Sequence, residues 1–249
     1  MRYRTVLRSV LILMAVVLAA SAGGLFHMRI KARAARMAGP VPYTVTLREI
    51  VHNQGNATPG PEYTWAIRAD GSRVIRIVEK KGTQRILNFA SGVEVNINES
   101  NNTRTSMMRP NWNSANLLRD PNSKCLNSLA GKPLTSPPET LAGEEVVSGY
   151  QTAKIVSDSR TSWHALDYGC ASVKEMWDFG KGEVSEKQLV ALVPGEPEAS
   201  LFEIPAGSRE VSPSERIFGP NKECTECDEH TRKVFQQLDQ EYRRLAVKQ

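Results

Sequence analysis

The chain lacks the short motifs that mark most enzymes. It contains no G-x-S-x-G, no H-E-x-x-H and no glycine-rich phosphate loop. Histidine is scarce, with His27, His52, His164 and His230 the only four in 249 residues. His164 beside Asp167 can be written as a base and its orienter, but strand alternation puts the two on opposite faces. No nucleophile is set for them, so catalysis has no visible carrier and no cofactor is implied. The chain reads as non-enzymatic.

Acidic residues are missing from residues 1–37, which carry Arg2, Arg4, Arg8, Arg29, Lys31, Arg33 and Arg36. The formal net charge is +5, so with +7 in this segment the remaining 212 residues sum to −2. The pI near 9.1 therefore speaks of a membrane surface at the N-terminus, not of nucleic acid. Within the segment, Ser9 to Met28 carries no charge at all. Its first part has signal-peptide form: a basic start, the apolar run Val10–Ala20, then the small-x-small sequence Ala20-Ser21-Ala22. Taken whole, at about 1.5 Å per residue, it spans a bilayer core of roughly 30 Å. It predicts either an inner-membrane anchor facing the periplasm or, if cleaved after Ala22, a periplasmic chain. No cysteine adjoins the apolar run, so lipoprotein acylation is excluded.

Four cysteines fall into two pairs. Cys125 and Cys170 lie within the body, and in an exported chain they predict a structural disulfide. Cys224-Thr225-Glu226-Cys227 precedes His230 and supports three readings. A local or intermolecular disulfide is the plain one. A thiol-disulfide oxidoreductase is the second, although Glu223, Glu226, Asp228 and Glu229 oppose a lowered thiol pKa. Zinc held by Cys224, Cys227 and His230 is the third, one ligand short of a structural site.

The body, residues 43–218, reads as strands. Tyr63, Trp65 and Ile67 alternate with polar or small residues; Asp70-Gly71 follows, then Val74–Val78, Gln84–Phe89 and the alternating Val93, Val95 and Ile97. Asp-Gly predicts a two-residue hairpin turn with positive φ at both positions. Gln54–Pro61 reads as a loop by composition, and Glu99–Lys124 as an aperiodic stretch bearing Met107, Met108, Trp112, Leu117 and Leu118. Strands resume at Glu144–Val147, Tyr150–Val156, Thr161–Leu166, Ser172–Phe179 and Leu189–Val193. Ser212-Pro213-Ser214-Glu215 is a capping box that opens a short helix. In the tail, residues 219–249, Phe235, Leu238, Tyr242 and Leu245 form one helical stripe that packs on its own domain or on a partner helix. The fold class is mainly β (α+β), with an apolar helix before the antiparallel sheet and an amphipathic helix after it.

The order R-x-D-G-S (Arg68–Ser72), G-Y (Gly149-Tyr150), W-x-A-L-D-Y-G-C (Trp163–Cys170), G-E-P (Gly195–Pro197) and L-F-E-I-P-A-G-x-x-E-V-S-P-S-E (Leu201–Glu215) resembles a group of uncharacterised bacterial cell-envelope proteins. That group is similar to the lipoprotein-localisation (Lol-type) carriers. The resemblance covers about Tyr43 to Phe218 and implies a curved, unclosed antiparallel barrel that binds a lipid or acyl chain, or acts as a sensor of envelope state. No functional residue transfers by position. On this reading Tyr63, Trp65, Ile67, Val93, Val95 and Ile97 line the groove, and the stretch bearing Met107, Met108 and Trp112 covers it. The partners expected are the membrane, a lipid or lipoprotein ligand, and a second copy through the tail helix. An envelope interaction module, oligomerising through that tail, is the alternative.

Overall fold

The computed structural model describes residues 41–108, 125, 140–218 and 228–246. The predicted N-terminal helix, Trp112, Cys224 and Cys227 lie outside them. Twelve strands form one curved, unclosed sheet in the order β12-β6-β5-β4-β3-β2-β1-β11-β10-β9-β8-β7. The first meander comprises β1 (Tyr43–Asn53), β2 (Asn56–Ile67), β3 (Arg73–Glu79), β4 (Gly82–Asn88), β5 (Val93–Asn98) and β6 (Thr103–Met108). The second comprises β7 (Thr140–Val147), β8 (Tyr150–Val156), β9 (Arg160–Ala165), β10 (Ala171–Gly180) and β11 (Glu183–Pro194). The two are joined where β1 pairs antiparallel with β11, from Tyr43 opposite Pro194 to Asn53 opposite Glu183. The two-residue strand β12 (Arg209–Glu210) adds to β6 in parallel.

The tight connections differ from the sequence expectation in instructive ways. At Asp70-Gly71 only Gly71 has positive φ, at 88°. Arg68 N–H bonds to the Ser72 carbonyl at 2.8 Å, and Gly71 N–H to the Arg68 carbonyl at 2.9 Å. This is a three-residue loop with a left-handed glycine, not the two-residue turn. Asp70 Oδ1 accepts from Ser72 N–H at 2.7 Å, which fixes the bend. The Phe89–Val93 connection repeats the pattern, with Gly92 at φ 89°. The predicted Gln54–Pro61 loop is mostly strand. Only Gln54 and Gly55 turn, both with positive φ. Pro59 and Pro61 sit in β2 where β3 does not reach, since β3 pairs only with Glu62–Ile67. A proline without an N–H is tolerated where one edge is unpaired.

Pairing without a register shift from Tyr43–Leu47 through to β6 defines the two faces, because directly opposed residues share a face. One face carries the row Tyr43, Ile67, Arg73, Asn88, Glu94 and the row Val45, Trp65, Ile75, Ile86, Asn96. The other carries Ala66, Val74, Leu87 and Val95. There Ala66, Val74, Leu87, Val95 and Ile97 form a buried cluster with Phe202 from the 3-10 turn Ala199–Phe202. The Arg68 guanidinium lies 4.3 Å above the Phe202 ring, and Arg85 donates to the Ser200 and Leu201 carbonyls at 3.3 and 3.1 Å.

Helix α1 (Pro213–Phe218) keeps half of its predicted capping box: Glu215 N–H bonds to Ser212 Oγ at 3.2 Å. The Glu215 carboxylate instead accepts from Arg209 at 2.8 Å. Helix α2 (Glu229–Ala246) packs back on its own chain. Phe235 meets Phe218 edge-on with ring centres 4.9 Å apart, Tyr242 donates to Glu210 at 3.2 Å, and Asp239 accepts from Ser214 N–H at 3.2 Å. Of the tail stripe, Phe235 and Tyr242 are thus engaged within the chain.

The predicted Cys125–Cys170 disulfide is present and closes a loop of sequence separation 45. It is buried with Ala153, Ile155 and Leu166. In the chain-entropy model such a loop contributes about 3–4 kcal/mol. Cys125→Ser/Cys170→Ser is therefore expected to lower the urea-unfolding free energy by about that amount. Reductant should do the same to the native chain, and an unchanged midpoint in both experiments would contradict the structural role.

Candidate functional site

A cavity of about 210 Å³ opens on the Trp65 face of the sheet. Its walls are apolar on one side, from Tyr43 on β1, Trp65 and Ile67 on β2, and Ile75 on β3. The other side is polar, formed by Arg160 and His164 on β9 and Ser172 and Glu175 on β10, with the Cys125–Cys170 disulfide beside them. Arg73 lines it at the start of β3.

The polar side depends on a β-bulge. Ser172 and Glu175 are three residues apart, so regular alternation would put them on opposite faces. The β9–β10 register shifts between Ser172 and Lys174, setting Ser172 opposite His164 and Glu175 opposite Ser162. One extra residue, Val173, thereby brings both polar side chains to one face. Ser172 Oγ donates to Glu175 at 3.1 Å. Glu175, only 2% exposed, also accepts from Arg160 Nη2 at 2.8 Å and lies 3.9 Å from Lys187 Nζ. Burial alone pushes its carboxyl up, but the Arg160 and Lys187 charges outweigh this and hold it below the usual carboxylate range. The Lys187 ammonium stands 4.1 Å from the Tyr63 ring centre and 5.7 Å from that of Trp65. It therefore links the carboxylate to the aromatic wall by cation–π contact.

The His164 tautomer follows from its partners. Nδ1 lies 3.0 Å from the Cys170 carbonyl, which can only accept, so Nδ1 carries the hydrogen. Nε2 is then the acceptor for Ser162 Oγ at 2.9 Å. The ring is only half-buried by surface, yet protein surrounds it closely enough that burial lowers its pKa to about 4. The Cys170 carbonyl and the Glu175 charge oppose that shift, and Arg160 reinforces it. Ser162 lies behind His164 and is 2% exposed. The Cys170 carbonyl on Nδ1 and Ser162 Oγ on Nε2 together fix the orientation of the ring. Among the described residues no group of histidine, cysteine and acidic side chains is set to hold a metal, and no helix is long and apolar enough to cross a membrane.

No protein-family model and no curated protein matches the chain. Solved structures do show similarity. An uncharacterised conserved protein from Thermus thermophilus is 11% identical at TM-score 0.47, covering 74% of this chain and 97% of its own. A chain of the Pseudomonas aeruginosa MucA/MucB complex is 16% identical at TM-score 0.38, over 76% of this chain and 63% of that one. A LolA superfamily protein from Nitrosomonas europaea is 12% identical at TM-score 0.32, over 72% and 97%.

The groove residues read from the sequence divide between the two faces. Trp65 and Ile67 line the cavity, and Tyr63 shares their face beneath Lys187. Val93, Val95 and Ile97 alternate onto the opposite face, where Val95 and Ile97 are 2% exposed in the Phe202 cluster. One groove cannot be lined by both sets, because the same alternation was read in each strand without the register between them. Met107 and Met108 are in β6, not in an aperiodic stretch. Met107 stands opposite Glu94 on the cavity face, four strands from β2 or roughly 19 Å along the sheet. Sequence reasoning passed over Arg73, Ile75, Arg160, Ser172 and Glu175. The one available signal was a glutamate inside the strand run Ala171–Trp177, where a charge, if buried, demands partners.

The depressed His164 pKa gives stability a pH dependence. The unfolded imidazole binds its proton near pH ~6.5, whereas the folded one resists until about pH 4. The unfolded chain thus holds more protons between those values, so this contribution is complete above pH ~6.5 and is lost as pH falls. The loss should reach at most about 3 kcal/mol. His164→Asn is expected to flatten this part of the urea-midpoint profile, and a profile identical to the native chain would contradict the assignment.

Proposed function

We propose that this chain is a non-enzymatic cell-envelope protein that holds the hydrocarbon part of a lipid-type ligand against the Trp65 face of its sheet. The observation that carries this is the cavity wall of Tyr43, Trp65, Ile67 and Ile75. Of these, Trp65 and Ile75 keep part of their surface exposed although they lie among strands that bury their neighbours. Removing such surface from water favours binding by about 25 cal/mol per Å² before the costs of association. At about 210 Å³ the space is smaller than the roughly 300–1,000 Å³ of sites for drug-sized ligands. A single acyl chain suits it better than a two-chain lipid.

The N-terminal segment supports the location. Basic and apolar residues in that order direct the body across the inner membrane, and a buried disulfide is compatible with an oxidising compartment. The motif order from Arg68 to Glu215 agrees with an envelope protein of the Lol-type carrier kind. The role is then carriage or sensing of an acylated molecule, with the sheet as a rigid scaffold.

Native mass spectrometry of the full chain, purified from the envelope fraction, tests this reading. A reproducible added mass of acyl-chain size is expected in the native protein. Ile75→Trp should lose that mass by filling the space, while circular dichroism stays unchanged. A bare native protein, or an Ile75→Trp variant that retains the mass, would refute the proposal.

A further inference from the structure

We propose that the Cys125–Cys170 disulfide is a thiol-disulfide exchange site whose access is governed by the occupant of the cavity. A small dithiol reaches the sulfurs through the empty cavity, and a bound acyl chain shuts it out. This rests on the reading of the cavity as a hydrocarbon site and goes further, to a reaction that its occupancy controls.

The placement comes first. Both cysteines line the cavity, yet they are only 3% and 1% exposed, so the cavity is the open space that adjoins the bond. They pack against Ala153 and Ile155 of β8 and against Leu166. Attack on a disulfide requires a thiolate in contact with a sulfur. An acyl chain held against Trp65, Ile67 and Ile75 fills the space which that thiolate must enter.

The two halves of the bond are held differently. Cys170 stands between the 3-10 turn Leu166–Tyr168 and β10, where its N–H bonds to the Ala165 carbonyl at 3.1 Å and its own carbonyl accepts from His164 Nδ1. Its φ is 64°, a left-handed conformation that a side chain disfavours, so its surroundings set it. Those hydrogen bonds do not involve sulfur, and reduction leaves them in place. Cys125 belongs to none of the twelve strands and is tied covalently to the sheet through its sulfur. Reduction therefore releases one part of the cavity wall and keeps the other, which weakens the hold on a ligand. By linkage the ligand disfavours reduction by the same factor. The chemistry balances with one dithiol. Its thiolate attacks one cystine sulfur and breaks the S–S bond, and its second thiol then closes on the mixed disulfide. Two electrons pass to the protein, two protons come to rest on Cys125 and Cys170, and the reductant leaves as its own disulfide.

The full chain carrying Cys224→Ser/Cys227→Ser leaves one cysteine pair to follow. Thiol release by dithiothreitol should run about 10-fold slower with saturating decanol than without it. Ile75→Trp, which fills the space, should slow release similarly with no decanol present. In calorimetric titration the oxidised chain should bind decanol about 10-fold more tightly than the reduced chain. If circular dichroism shows that the reduced chain does not stay folded, the two reduction rates carry the comparison. Unchanged reduction with decanol bound, or in Ile75→Trp, would overturn the exchange site and leave the hydrocarbon site standing. Slowing that only equals the gain in urea-unfolding free energy would overturn it too, since the bond would then be reached by global unfolding. No saturable binding of decanol by the oxidised chain would overturn the hydrocarbon site and, with it, this control.

Discussion

The pairing of β1 with β11 is the interaction on which the rest depends. Each meander is built from neighbours in sequence, and hairpin closure costs little chain entropy. The β1–β11 ladder instead joins Tyr43 to Pro194 and Asn53 to Glu183. It is the step that turns two sheets into one, and the cavity lies across it. The apolar wall comes from β1, β2 and β3, and the polar wall from β9 and β10. Lys187 on β11 bridges them, reaching Glu175 on one side and the Tyr63 and Trp65 rings on the other.

A second constraint is the buried charge on β10. A carboxylate at 2% exposure is tolerated only with partners, and the sheet supplies them from three strands: Arg160 from β9, Ser172 from β10 itself and Lys187 from β11. The Val173 bulge is what makes the set coincide. Replacing such a cluster by apolar residues would often be neutral for stability. Its place at the wall of a cavity, opposite Trp65 and Ile75, gives it a second consequence, because the same cations that hold Glu175 set the polarity of the space.

Much of the architecture was legible in the residues. The strands, the Cys125–Cys170 bond and both C-terminal helices follow from alternation, cysteine context and capping chemistry. The misreadings share one origin, which is that a local pattern does not report its neighbours. Asn56–Pro61 looks like loop by composition, yet it pairs with β1 along an otherwise open edge. Thr103–Met108 shows no alternation, yet it is held between β5 and β12. The Tyr63–Ile67 and Val93–Ile97 alternations were each correct, but their relative phase was not encoded in either strand.

Sequence by itself determined most of the extended segments, the places of the glycine turns, and that residues 1–37 are basic and apolar while no enzyme motif appears. Those properties are local: they depend on side-chain alternation, on φ at glycine, and on charge within a few residues. Tertiary structure alone decided which apolar stripe meets the cavity, that Arg73 and Arg160 share it with Glu175, and that the Phe235 and Tyr242 faces of α2 are occupied within the chain. Those depend on register, on a single inserted residue in β10, and on a ladder between strands about 150 residues apart. A shift of one residue in any of them would turn the same side chains to the other face.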